Sequence, residues 1–133
     1  MNAANAKARI LVVEDEADIR ELLEIVLMSR GYEVATAENG RIGLDVITRF
    51  RPDLVLADLS MPELDGLGFL EGKSALPDVA AVPVIVLSAR DKNGDVMQAI
   101  ERGASNYITK PFDTAVVLAS IERLLNAARD AIG

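Results

Sequence analysis

Two kinds of segment alternate along the chain, distinguished by the spacing of their hydrophobic positions. Short apolar runs predict strands of a parallel sheet, most of them buried on both faces; they lie at about residues 9–14, 32–37, 54–58, 84–88 and 106–109. After the first, second and fifth runs, apolar residues recur every three or four positions, which predicts helices with one buried face. Further helices are predicted after the third and fourth runs. The sequence therefore predicts five strands and five helices in strict alternation.

Residues at the ends of these segments support the predicted helices. Asn39 and Asp113 are candidate N-caps of the second and fifth helices, and Gly31 and Gly103 end the first and fourth. The third helix is predicted at about 65–75. The positions predicted to face the core are Ile19, Leu22, Leu23, Val26 and Leu27 in the first helix, Ile42, Leu44, Val46, Ile47 and Phe50 in the second, and Val117, Leu118, Ile121, Leu125 and Ala128 in the fifth.

Strict alternation predicts an α/β fold in which parallel strands are joined by helices that cover both faces of the sheet. We expect a three-layer, doubly wound sandwich of five strands over residues 9–130, preceded by a disordered tail at 1–8. If the strand order is the flavodoxin-like 2-1-3-4-5, strands one and three are neighbours. Glu14, Asp15 and Asp58 would then meet at the carboxyl edge of the sheet.

Composition narrows the possible chemistry. The 133 residues include no cysteine and no histidine, which excludes disulfides, thiolate nucleophiles, imidazole bases and the usual zinc ligands. A net charge of −7 argues against direct nucleic-acid binding. The longest apolar stretch is too short to span a membrane, and the first eight residues lack the apolar centre of a signal peptide. We therefore expect a soluble, cytoplasmic protein.

The predicted carboxyl edge of the sheet collects polar side chains from four strands. Three clustered carboxylates raise one another's pKa, so a cation is expected among them, and Mg²⁺, or Mn²⁺ in its place, suits oxygen ligands. Lys110 would add a positive charge if its side chain reaches across strand four, and Ser88 offers a hydroxyl. Alone, each of these residues has an ordinary structural explanation. Their joint placement predicts a site for phosphoryl transfer to Asp58.

Four motifs carry a resemblance to a known family: VVEDE around Glu14, DLSMPELDG from Asp58, LSA at Ser88, and YITKPF from Tyr107. In this order and at these spacings the chain resembles the receiver domain of two-component response regulators. The resemblance implies that Asp58 accepts a phosphoryl group from a histidine kinase or a histidine phosphotransfer protein. It further implies that Asp58 and three other residues hold the magnesium ion: Glu14, Asp15 and, through its backbone carbonyl, Ser60.

The resemblance also implies a switch rather than an enzyme. Ser88 would move toward the phosphoryl group while Tyr107 moves inward, which remodels the surface of the fourth helix, fifth strand and fifth helix. The Lys110–Pro111 bond is often cis in such domains. That surface would bind a downstream protein or a second copy of the chain. On it we expect Val116 to be exposed beside Ala119 and Ser120, as part of the partner surface.

Two other functions stay open from the sequence. The first is an aspartyl-phosphate phosphatase that uses Asp58 as its nucleophile. The second is an interaction module with the same fold that no longer cycles phosphate. The sequence also leaves open whether the chain acts alone or as part of a longer regulator.

Overall fold

The computed structural model describes residues 8–59, 61, 64–89 and 93–132. The five strands are β1 (Arg9–Val13), β2 (Glu33–Ala37), β3 (Leu54–Asp58), β4 (Val84–Ser88) and β5 (Asn106–Thr109). The five helices are α1 (Ala17–Ser29), α2 (Gly40–Phe50), α3 (Gly66–Ser74), α4 (Asn93–Glu101) and α5 (Thr114–Ile132). All strand pairs are parallel and the order is β2-β1-β3-β4-β5, which confirms the predicted fold.

Side chains of the central strands alternate between two apolar cores. Leu54 and Leu56 of β3 face one core, which α1 and α5 cover. Val55 and Ala57 face the other, which α2, α3 and α4 cover. Because β1, β3 and β4 are buried on both faces, their continuous apolar runs have the composition expected of strands inside a three-layer fold.

Side-chain caps fix the beginnings of several helices. The Asn39 carboxamide oxygen accepts from the Ile42 N–H at 2.9 Å, and the Asp113 carboxylate accepts from the Ala115 N–H at 2.8 Å, which confirms both predicted caps. Asp65 caps α3 through the Gly68 N–H at 2.9 Å, a cap that the sequence interpretation did not include.

Three positions predicted to face the core are exposed instead: Leu22 (45%), Ile42 (38%) and Ala128. Ile42 lies ~100° around the helix axis from the buried Gly43, and Leu22 lies equally far from the buried Leu23, so both fall at the edge of the covered stripe.

Two smaller predictions are also corrected, one within α5 and one at the end of β1. Ser120 is buried rather than exposed, and its hydroxyl accepts a hydrogen bond from the Asn106 side chain at 2.7 Å. Strand β1 ends at Val13, one residue earlier than predicted, although the Glu14 N–H still donates to the Ala37 carbonyl at 2.9 Å.

At the amino end, residues 1–7 of the predicted tail lie outside the described residues. The carbonyl of Ala8 accepts a hydrogen bond from the Glu33 N–H at 2.9 Å. Within the described part of the chain, none of the helices has both the length and the apolarity needed to cross a membrane.

Candidate functional site

Adjacent strands bring two buried acids together at the carboxyl edge of the sheet. Val13 pairs with Ala57 in the register of β1 and β3, so the next residue along each strand is Glu14 or Asp58. Both are almost completely buried, with 1% and 4% of their surfaces exposed. The neighbouring strands predicted from the 2-1-3-4-5 order therefore place these two acids side by side.

Lys110 joins these acids from the far side of β4. Its backbone N–H donates to the Ser88 carbonyl at 2.8 Å, which continues the β4–β5 hydrogen bonding one residue past β5. Its Nζ lies 2.8 Å from Glu14 Oε1 and 3.3 Å from Asp58 Oδ2, so the side chain does reach across β4. The bond from Lys110 to Pro111 is cis, as the resemblance implied.

A third acid, Glu16, completes the cluster and was missed from the sequence. One oxygen each from Glu14, Glu16 and Asp58 lie within 4.8 Å of one another, and Glu16 Oε1 lies 3.6 Å from Lys110 Nζ. The signal that could have found it is the unbroken acidic run that follows β1. Because the chain turns there into α1, the acid two residues after Glu14 points back toward the edge of the sheet.

The other two predicted metal ligands, Asp15 and the Ser60 carbonyl, are not among the three clustered acids. Asp15 is exposed, and among the described residues it belongs to no such group of three acids. The Ser60 carbonyl lies outside the described residues. The ligand roles of both residues stay predictions.

Burial and neighbouring charges together set the pKa values in the pocket. Burial raises the pKa of Glu14 from 4.5 to about 7, and the Asp58 charge adds to the increase, although the Lys110 hydrogen bond opposes it. Burial by itself would lower the pKa of Lys110, but the Glu14 hydrogen bond and the charges of Asp58, Glu14 and Glu16 outweigh it and raise that pKa. Lys110 therefore stays charged while the acids around it repel one another.

Ser88 and Tyr107 lie on one face of the sheet in neighbouring strands. Val86 pairs with Tyr107 and Ser88 pairs with Thr109, so the Ser88 and Tyr107 side chains are diagonal neighbours. Ser88 is buried, whereas Tyr107 is half-buried and packs against the core under α2, α3 and α4. This arrangement places a hydroxyl at the carboxyl end of β4, diagonally across the same face of the sheet from an aromatic ring.

The pocket suits a hard divalent cation. Its donors are all carboxylate oxygens, which Mg²⁺ prefers over nitrogen or sulfur. Three carboxylates against one ammonium leave excess negative charge in a mostly buried place. A cation that neutralises this excess would leave Lys110 and one carboxylate in position to engage a phosphoryl group.

Residues 10–122 match the protein family described as the response regulator receiver domain. The chain belongs to this family. A transcriptional regulatory protein, CseB of Streptomyces avermitilis, is 39% identical over 127 residues, which are 96% of this chain and 53% of CseB.

Solved receiver domains share the fold. One from a signal transduction histidine kinase of Syntrophus aciditrophicus is 35% identical with a TM-score of 0.83, covering 90% of this chain and 91% of that one. Another, from the sensor histidine kinase PA1611 of Pseudomonas aeruginosa, holds a magnesium ion in its active site cleft. It is 30% identical with a TM-score of 0.84 and covers 91% of this chain and 99% of that one.

The chain spans about half the length of CseB, and 26% of the response regulator PleD of Caulobacter vibrioides, to which it is 41% identical over 118 residues. The chain therefore corresponds to only part of each of these longer proteins.

Proposed function

We propose that Asp58 of this receiver domain accepts a phosphoryl group from a phosphohistidine on a histidine kinase or a histidine phosphotransfer protein. One observation carries this proposal: the buried Asp58 carboxylate lies 3.3 Å from the Lys110 ammonium, beside two further acids at the carboxyl edge of the sheet. The phosphodonors follow from family membership. The cytoplasmic location is proposed on the same ground.

Asp58 is the nucleophile of the proposed transfer. One of its carboxylate oxygens attacks phosphorus, an acyl phosphate P–O bond forms, and the P–N bond of the phosphohistidine breaks. The leaving imidazole keeps the bonding electron pair and takes its proton from solvent. Lys110 binds an oxygen of the transferred group, because its ammonium already lies beside the acceptor.

Glu14 and Asp58 would hold the divalent cation, with Glu16 beside them and with Asp15 and the Ser60 carbonyl as further predicted ligands. Mg²⁺, or Mn²⁺ in its place, would offset the negative charge of the carboxylates and of the incoming phosphoryl group. The magnesium ion in the related PA1611 domain supports this assignment.

The labelling test uses a small acyl phosphate with MgCl2 and follows the intact mass of the chain. We expect one added phosphoryl group per chain that is lost slowly, and none in the Asp58→Asn variant. Continuous consumption of the acyl phosphate would instead indicate a phosphatase. No magnesium-dependent labelling of the wild-type chain would indicate a non-cycling interaction module.

Phosphorylation would be transmitted to the edge of the domain formed by α4, β5 and α5. Ser88 and Tyr107 connect the pocket to this edge, since they are diagonal neighbours on β4 and β5 and the Tyr107 ring packs against the core that α4 covers. Val116 is 54% exposed on α5, and Met97 and Ile100 are more than half exposed on α4. These apolar side chains would bind a downstream protein or a second copy of the chain.

The Val116→Glu variant tests this partner surface. A charge there should weaken self-association of the phosphorylated chain, measured by sedimentation, without changing labelling of Asp58. If self-association and phosphotransfer are both unchanged, Val116 is not part of a partner surface. The control is Ile25→Glu on α1, an apolar position outside this surface that is also exposed, at 68% against 54% for Val116.

A further inference from the structure

Glu16 occupies a capping position but its side chain does not cap the helix. It is the N-cap residue of α1, with extended backbone angles of φ −78° and ψ 114°, and it makes no side-chain hydrogen bond to the first turn. Its carboxylate instead lies 3.6 Å from Lys110 Nζ. Because the Glu16 side chain does not cap the helix, its carboxylate is available for another role.

The backbone of Glu16 is fixed on both sides. Its N–H donates to Glu14 Oε2 at 3.2 Å, and its carbonyl accepts from the Arg20 N–H at 2.9 Å. Its side chain is 60% exposed, whereas those of Glu14 and Asp58 are 1% and 6% exposed. Glu16 is therefore the outer acid of the pocket, attached to the inner acid but open to water.

The three acids share one ammonium group. Lys110 Nζ is closest to Glu14 at 2.8 Å, followed by Asp58 at 3.3 Å and Glu16 at 3.6 Å. A phosphoryl group on Asp58 takes a donor from Lys110 and therefore competes with the other two acids for the ammonium. Glu16 gives up its contact at the lowest cost, because its carboxylate can turn into water.

We propose that Glu16 is a positioning residue that strengthens binding of the divalent cation and holds Lys110 until a phosphoryl group arrives. The proposal rests on the function proposed for Asp58. A third negative charge near the cation favours its binding. The same charge repels a phosphodonor, and the contact with Lys110 must break before the ammonium can bind the transferred group.

The test compares three variants with the wild-type chain. Glu16→Gln removes the charge at nearly constant size, Glu16→Asp keeps the charge on a shorter side chain, and Glu101→Gln is the control. Glu101 is exposed at the end of α4, near the amino edge of the sheet, so its replacement changes the net charge equally but far from the pocket. Isothermal titration with MgCl2 alone gives the cation affinity, and intact-mass labelling by a small acyl phosphate at saturating MgCl2 gives the phosphorylation rate.

We expect Glu16→Gln to bind Mg²⁺ more weakly by roughly threefold to tenfold and to be labelled faster by a similar factor. Glu16→Asp should bind Mg²⁺ nearly as tightly as the wild type, yet be labelled faster, because it no longer reaches Lys110. Loss of folding would lower both quantities, so opposite changes in affinity and rate identify the proposed role.

Three results would overturn the proposal. One is a Glu16→Gln variant with the same Mg²⁺ affinity and labelling rate as Glu101→Gln. Another is a Glu16→Asp variant that is labelled no faster than the wild type, which would show that Glu16 does not hold Lys110. The third is abolished labelling in Glu16→Gln. A wild-type chain that is not labelled at all contradicts the function proposed for Asp58 instead, and the Mg²⁺ titration still tests Glu16.

Discussion

Glu14 shows how a single buried residue connects function with stability. Its carboxylate is held beside Asp58 in a place where burial raises its pKa to about 7. Most carboxylates in folded proteins are arranged so that ionisation is favoured. Ionisation of Glu14 is instead unfavourable in the folded state, which indicates that this residue serves the pocket rather than the stability of the domain.

The stability of the cation-free domain should therefore depend on pH through Glu14. The folded pKa of about 7 lies above the ordinary value of 4.5, so between these values the folded state binds more protons than the unfolded state. The contribution of Glu14 to stability is complete below pH 4.5 and is lost as pH rises to about 7, a change of about 3 kcal/mol.

Urea unfolding in EDTA at several pH values, with Glu14→Gln as the reference, measures this contribution. The wild type should lose stability relative to the variant as pH rises from 5 through about 7, and the difference should level off once Glu14 is fully ionised. The reference variant removes the titration of Glu14 and keeps that of the other acids. A constant difference across the range would show that Glu14 titrates normally.

At the scale of elements, Gly66 determines how closely α3 approaches the pocket. A Cβ at this position would lie 2.5 Å from the Asp58 carbonyl oxygen and 2.7 Å from the Leu59 Cα. The Gly66 N–H also donates to the Leu59 carbonyl at 2.8 Å. Since both clashes are with backbone, neither can be relieved by a side-chain rotation.

Gly66→Ala should destabilise the domain by roughly 2–3 kcal/mol in urea unfolding, because α3 must move away from the end of β3. The control is Gly94→Ala in α4, where a Cβ would meet nothing within 4 Å. That variant should be neutral or more stable by up to about 1 kcal/mol. Equal effects of the two substitutions would contradict the close packing of α3 on β3.

Helix α4 has few buried side chains in the described structure. Of its described side chains, from 94 to 101, only Ala99 is buried. An ion pair just past its end, Arg102 Nε to Glu71 Oε1 at 2.6 Å, joins α4 to α3. A helix with few buried side chains is suited to change position when the pocket is phosphorylated.

Arg102→Gln should therefore loosen α4 locally. We expect amide hydrogen exchange in α4 to accelerate by roughly threefold to fivefold, with no change in α5. The effect is modest because a partly exposed ion pair contributes little to stability. Arg49→Gln is the control, since the Arg49 guanidinium donates only to the carbonyl of Asp45 in its own helix among the described contacts. Equal acceleration in α4 and α5 would mean that Arg102 stabilises the whole domain.

The sequence predicted the order and type of all ten elements, chiefly because the buried strands and the amphipathic helices α1, α2 and α5 differ in hydrophobic period. It predicted the meeting of Glu14, Asp58 and Lys110 because parallel strands end at one edge. It did not predict that Glu16 joins the pocket, because the conformation of the three residues between β1 and α1 determines which acid points toward the pocket. It also placed Leu22 and Ile42 in the core, because periodicity gives the centre of a buried stripe but not its width.

At the scale of the whole molecule, the pocket joins residues at the carboxyl ends of three of the five strands and the residue that precedes α1. Glu14 follows β1, Asp58 ends β3 and Lys110 follows β5. Folding must therefore bring three negative charges and one positive charge together from distant parts of the chain. Without a cation the excess charge opposes folding, and with one it is neutralised.

Asp58→Asn should consequently stabilise the cation-free domain. The substitution keeps the size of the side chain and removes one of the three clustered negative charges, so repulsion with Glu14 falls, although an ion pair with Lys110 is lost. We expect a gain of roughly 1 kcal/mol in EDTA, measured by urea unfolding at pH 8, and a smaller difference in saturating MgCl2, because the wild type gains more from the cation. Asp45→Asn, at an exposed position of α2, makes the same change in net charge and should alter neither value. A domain that is less stable with asparagine at position 58 in both conditions would show that the Lys110 ion pair outweighs the repulsion among the acids, and that the pocket does not oppose folding.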